Sequence, residues 1–176
     1  MEETIKIPKD RVAVLIGEKG STKRDIQRKT KTKLEINSQE GDVKVEGEDS
    51  LNVFLTVQVV KAVGRGFNPD IALILLKENY QMEIINIKDY CRTTRNDQER
   101  VKSRIIGKRG KARTTLENMT NTNISIYGKT VSIIGPTENV FLAKRAVEKL
   151  LQGTPHGNLY KWIELQKELE KDNLKQ

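Results

Sequence analysis

The chain has 176 residues, and its 32 Lys+Arg against 24 Asp+Glu leave a formal net charge of +8 with an isoelectric point near 9.5. That length suits one ordinary domain or two small ones, and 36% hydrophobic residues beside 32% charged ones supply enough Ile, Val and Leu for a core, which argues against disorder. A single Cys (Cys91) and a single His (His156) exclude disulfide pairing and a four-ligand zinc site, and permit a Cys–His nucleophile only if the two meet in space.

In chain order, residues 4–8 alternate with strand period and end on Pro8, where a missing N–H does no harm. A helical segment over 10–16 closes at Gly17, and a second helix follows Gly17-Glu18-Lys19-Gly20 as far as Lys29. Short strands are predicted over 33–36 and 42–46, then an amphipathic helix over 50–63 with Ser50 as its N-cap. Asn68 and Pro69 open a further helix whose run 71–76 is apolar all round and is expected to be buried, holding what flanks it in a fixed relative orientation. The series then recurs: a strand over 83–87, a helix over 97–106 closing at Gly107, Gly107-Lys108-Arg109-Gly110, and a helix to Asn118. Strands over 123–126 and 130–134 and a helix over 137–151, capped by Thr137, complete it. After the break at 153–157, which makes His156 a turn residue, Asn158 is expected to cap a last helix. Leu159, Trp162, Ile163 and Leu169 would be its packing side against the second unit.

The recurrence is a true internal repeat. A shift of 90 residues sets Ile16-Gly17-Glu18-Lys19-Gly20 on Ile106-Gly107-Lys108-Arg109-Gly110, Ile26 on Leu116, Thr30 on Thr120, Thr32 on Thr122 and Leu34 on Ile124. The offset then falls to 88, bringing Val43, Val45 and Gly47 onto Val131, Ile133 and Gly135, so the length change is confined to a polar turn. The basic charge follows the repeat: residues 9–33 carry +6 and residues 92–115 carry +7, leaving the remainder slightly acidic. Two compact basic zones suit a polyanion partner, while solvated helix faces are the plainer alternative.

A Gly-x-x-Gly between two helices lets backbone pass close to a ligand, and the N–H groups at the start of the following helix attract phosphate. Alone such a turn is weak evidence; twice, at matching positions of a β-α-α-β-β-α repeat and within basic windows, it is strong. Both units resemble type I K-homology (KH) domains, whose signature is an apolar pair before Gly-x-x-Gly, here Leu15-Ile16 and Ile105-Ile106. The resemblance implies an α+β fold with two three-stranded antiparallel sheets, each with helices on one face. The expected division is 1–66, an interdomain helix 67–81, 82–152, and a C-terminal helical extension 153–176.

In KH domains the loop clamps the backbone of about four single-stranded nucleotides. The resemblance therefore assigns RNA contacts to Gly17, Lys19, Gly20 and Lys23, and to Arg104, Ile106, Gly107, Lys108, Arg109, Gly110, Lys111, Arg113 and Ile124. Ile16, Ile26 and Leu34, with Ile106, Leu116 and Ile124, either line an apolar groove for bases or belong to the core. Glu18 in the first loop would repel phosphate, so the second unit is expected to carry more of the affinity. Lys23 and Arg113 stand where the KH pattern has an aliphatic residue, which obscures any base preference. With 5% aromatic residues, and only Tyr127 near the predicted strands, a stacking platform is not expected.

The Gly64-Arg65-Gly66-Phe67-Asn68-Pro69 and Pro155-His156-Gly157-Asn158-Leu159-Tyr160 stretches extend the resemblance to archaeal ribosome-assembly KH proteins, a group that includes the partner-of-Nob-One and Krr-type factors. That family implies a non-enzymatic protein, without cofactor or metal, that binds single-stranded 16S rRNA near its 3′ end. Its partners would be maturation proteins such as an rRNA endonuclease, and its place the cytoplasm, without membrane attachment. A general messenger-RNA regulator, an RNA-decay subunit, or a first KH unit turned protein-docking module are the alternatives. An ATP-binding P-loop is excluded at Gly110-Lys111-Ala112, which lacks the final hydroxyl and has Ile105 where the upstream glycine belongs.

Overall fold

The computed structural model describes residues 1–176 and divides into two compact units, Met1–Met82 and Glu83–Gln176. In the first, β1 (Glu2–Lys6) leads to α1 (Lys9–Ile16), the Gly-x-x-Gly turn and α2 (Ser21–Thr30), then β2 (Lys33–Ile36), β3 (Asp42–Glu46) and α3 (Ser50–Gly64). α4 (Pro69–Ala72) follows within the same unit. β4 (Tyr80–Asn86) opens the second series, followed by α5 (Arg95–Ile106), α6 (Lys111–Thr120), β5 (Asn123–Tyr127), β6 (Thr130–Pro136) and α7 (Thr137–Leu151). α8 (His156–Leu174) ends the chain. Each sheet places its last strand in the middle, in the orders β1-β3-β2 and β4-β6-β5.

The two offsets of the repeat reappear as one register. Leu34 pairs with Val45 across β2 and β3, and Ile124 with Ile133 across β5 and β6, all four buried against helices. Between second helix and sheet, each unit turns in the same way. Lys31 and Asn121 adopt left-handed backbone (φ 55° and 51°), and buried threonine pairs on either side hydrogen-bond to each other at 2.8 Å, Thr30 with Thr32 and Thr120 with Thr122. One turn earlier, Gln27 accepts from the Leu34 N–H (2.8 Å) and Glu117 from that of Ile124 (2.9 Å). These bonds satisfy groups that the chain reversal would otherwise bury unpaired.

Several helix starts differ from expectation. Asp49, not Ser50, caps α3 by accepting from the Leu51 N–H, because a carboxylate one residue earlier takes the role. Pro136 precedes α7 with no side-chain cap and Thr137 lies inside the helix; α8 begins at His156 after Pro155, two residues before Asn158. Asn68 does cap α4, accepting from the Asp70 N–H at 2.9 Å. The helix expected over 67–81 is only α4 and a tight 3-10 turn, Leu73–Leu76, before Lys77 becomes extended. Ala72 and Leu75 are buried and this segment packs on α3. On α8, Leu159 and Ile163 are wholly buried in the second core, whereas Leu169 is 50% exposed, so the packing side ends earlier than expected. Trp162 lies under Arg145 and Lys149, whose charged groups are 4.9 and 4.8 Å from the ring centre. No helix is long and apolar enough to cross a membrane.

Candidate nucleic-acid interface

Each Gly-x-x-Gly is built by ending one helix and starting another within four residues. Gly17 and Gly107 leave the helix at φ 74°, ψ 174° and φ 73°, ψ 177°, a region closed to side chains, and a Cβ there would run into Thr22 or Ala112. Gly20 and Gly110 take left-handed backbone at φ 76° and 73°. Between them a cation is itself held left-handed, Lys19 at φ 52° and Arg109 at φ 56°. The same bond closes both loops, Gly20 N–H to the Gly17 carbonyl and Gly110 N–H to that of Gly107, each at 3.2 Å.

The side chains then separate the loops. In the first, the Arg24 guanidinium donates to the Lys19 carbonyl at 2.6 Å and lies over Gly20. Asp25 holds Arg28 and Lys29, and these two cations, Arg28 the stronger, keep its carboxyl below the usual carboxylate range. In the second, Thr114 stands where Arg24 does and turns inward to the Gly110 carbonyl (3.0 Å), and no atom crowds Gly110. Lys108, Arg109, Lys111 and Arg113 are all exposed, and none is engaged in an ion pair. Lys19 is exposed and Lys23 half-buried.

Two of the assigned residues stand apart from this surface. Ile124 is 3% exposed: it points to the helices, opposite Ile133, and is core, as are Leu116, Ile26 and Leu34. Only Ile106, 38% exposed, and half-buried Ile16 remain as apolar surface beside the loops. Arg104 is half-buried and donates to the Thr154 carbonyl at 2.8 Å, tying α5 to the turn before α8. Arg11, in the first basic window, likewise donates to the carbonyls of Val63 (2.8 Å) and Phe67 (2.9 Å). His156 and Tyr160 are the residues missed: with Gly107, Lys108, Lys111 and Thr115 they border a cleft of about 280 Å³. In the sequence they stand out only as part of the Pro155–Tyr160 stretch, without a tie to the loop, because docking of α8 brings them there.

Residues 81–168 match the family model described as eukaryotic type KH domain (KH domain type I), specifically the second KH domain of Pno1, and residues 2–61 match that of the KH domain. A KH domain-containing protein of Methanocaldococcus jannaschii is 46% identical over 170 residues, covering 94% of this chain and 74% of that protein. RNA-binding protein pno1 of Drosophila melanogaster is 38% identical over 117 residues, 65% of this chain but only 48% of that longer protein. Among solved structures, Dim2p from Pyrococcus horikoshii has 46% identity and a TM-score of 0.87, covering 93% of this chain and 98% of that one. A chain of the a/eIF2alpha–aDim2p–rRNA complex from the same organism has 45% identity and a TM-score of 0.89, covering 96% of this chain and 94% of that one. With two KH units of one architecture and a match along nearly its whole length, the chain belongs to the Pno1/Dim2 family of KH-domain ribosome-assembly proteins.

Proposed function

We propose that this protein binds single-stranded small-subunit rRNA near its 3′ end during ribosome maturation, acts without catalysis, and grips the strand mainly through its second Gly-x-x-Gly loop. The observation that carries this is the second loop itself, a backbone cradle of fixed positive-φ geometry with four exposed cations free of ion pairs around it. Phosphates passing Gly107–Gly110 would meet Lys108 and Arg109 and the N-terminus of α6 together. Support comes from the Pyrococcus horikoshii relative, which was crystallised with rRNA and an initiation-factor subunit. Oligoribonucleotides of the 16S 3′ end should bind more tightly than unrelated sequences of equal length. Equal affinity would favour a general KH regulator.

The first unit supports a second role. Its loop is covered by Arg24, and its helix cations are partly neutralised by Asp25, so it is the weaker RNA surface and the better candidate for docking a protein such as a maturation nuclease. Pull-down of such a nuclease by the intact chain, lost on substitution within α1 or α2 but not in the second loop, tests this.

A further inference from the structure

We propose that the cleft between the second Gly-x-x-Gly loop and α8 is a stacking subsite for one unpaired base of a bound RNA strand. The proposal rests on the RNA-binding function above and adds a contact that lies outside the β-α-α-β-β-α unit, on the C-terminal helix.

The chain is poor in aromatics, yet two rings one helical turn apart on α8 are set against the loop. His156 and Tyr160 have centroids 6.3 Å apart with planes tilted by 58°, so they do not stack on each other. Both are half-buried. Tyr160 packs against the second core, which also holds Leu159 and Ile163, and at the same time lines the cleft. His156 is fixed by its Nε2–H, which donates to the Arg104 carbonyl at 2.7 Å, and Arg104 in turn donates to the Thr154 carbonyl. The start of α8 is thereby bolted to the end of the helix that runs into the loop. Ring positions set before binding lose little entropy when a base arrives.

The rest of the lining identifies the ligand class. Lys108 and Lys111 line it together with the two rings, so the cleft sets aromatic side chains and cations beside the Gly-x-x-Gly turn. That combination fits a nucleotide whose phosphate lies on the loop and whose base turns toward Tyr160. Stacking of this kind tolerates any base, because each has a π-face. In the first unit α3 is followed only by the four-residue α4 and a 3-10 turn, with no long helix like α8, so the subsite is confined to the second.

The experiment uses the full chain and single-stranded oligoribonucleotides of the 16S 3′ end in which each nucleotide in turn is made abasic, leaving its phosphate. One position beside the clamped nucleotides should lose on the order of tenfold in affinity for the wild type. That position should become insensitive in Tyr160→Leu, which keeps apolar packing and is checked by its thermal melt. A Tyr160→Leu variant that shows the wild-type abasic profile overturns the subsite. Photo-crosslinking from a 4-thiouridine scanned along the same strand needs no variant. A crosslink on Tyr160 or His156 supports the proposal, and crosslinks confined to the loop and α6 overturn it. If Lys108→Glu/Arg109→Glu abolishes binding while the Tyr160 tests fail, the subsite alone is wrong. If the wild type binds none of these strands, the RNA function fails with it.

Discussion

The two Gly-x-x-Gly loops have backbones that agree within a few degrees and surfaces that do not. Gly17 and Gly107, Lys19 and Arg109, Gly20 and Gly110 occupy matching dihedral regions. Around that shared frame, Glu18 occupies the position that Lys108 holds in the second loop, and Arg24 closes over its loop where Thr114 bonds back to the Gly110 carbonyl. If the loops hold phosphate as proposed, the shared backbone supplies the cradle and these few side chains decide whether it stays open.

The largest expected effect breaks the stronger loop. Lys108→Glu/Arg109→Glu should weaken RNA binding by about 100-fold or more, against about threefold or less for Lys19→Glu, in filter-binding or anisotropy titrations. If about four phosphates are neutralised, the slope of log affinity against log salt should be about −3 for the wild type and shallower for the double variant. Equal losses from both loops would show that the side-chain difference does not matter.

Backbone substitution tests the shared frame. Gly107→Ala should cost on the order of 2–3 kcal/mol in urea unfolding, since it combines a glycine-only region with a clash against Ala112. Gly110→Ala, with open space around its Cβ, should cost about 1 kcal/mol. Gly17→Ala should mirror Gly107→Ala, because Thr22 fills the same space.

Converting the first loop toward the second should raise affinity. Glu18→Lys with Arg24→Thr is expected to strengthen RNA binding by about three- to tenfold in a Lys108→Glu/Arg109→Glu background, where the first loop's contribution is visible. The smallest effect concerns Asp25. Asp25→Asn frees Arg28 and Lys29 and should raise affinity about twofold. Its depressed carboxyl stabilises the fold above about pH 4, and that contribution is lost as pH falls through its folded value. The stability gap between wild type and Asp25→Asn should therefore close on acidification.

Much of this was legible in the sequence because the repeat makes each unit a check on the other. The offsets of 90 and 88 make Leu34 equivalent to Ile124 and Val45 to Ile133, and the two sheets pair these residues in the same way, Leu34 with Val45 and Ile124 with Ile133. Alternation alone could not say whether Ile124 faced a groove or the core, since both faces of a strand have the same period. Ser50 is a good N-cap residue, but Asp49 beside it is another, and only the helix start decides between them. Arg104 looked like one more cation in a basic window; its partner, the Thr154 carbonyl, lies 50 residues away. Tyr160 reaches the second loop through the docking of α8, a tertiary event that no local pattern encodes.

The cation at the crown of each loop stands where folding alone would prefer another residue. A left-handed backbone at Lys19 or Arg109 strains an ordinary side chain, whereas asparagine or glycine fits it better. Selection for stability would erode that charge, so in the proposed function keeping Arg109 would set grip on an anion against tolerance of heat. A lineage under thermal pressure would be expected to lose the cation first from the loop whose grip matters less.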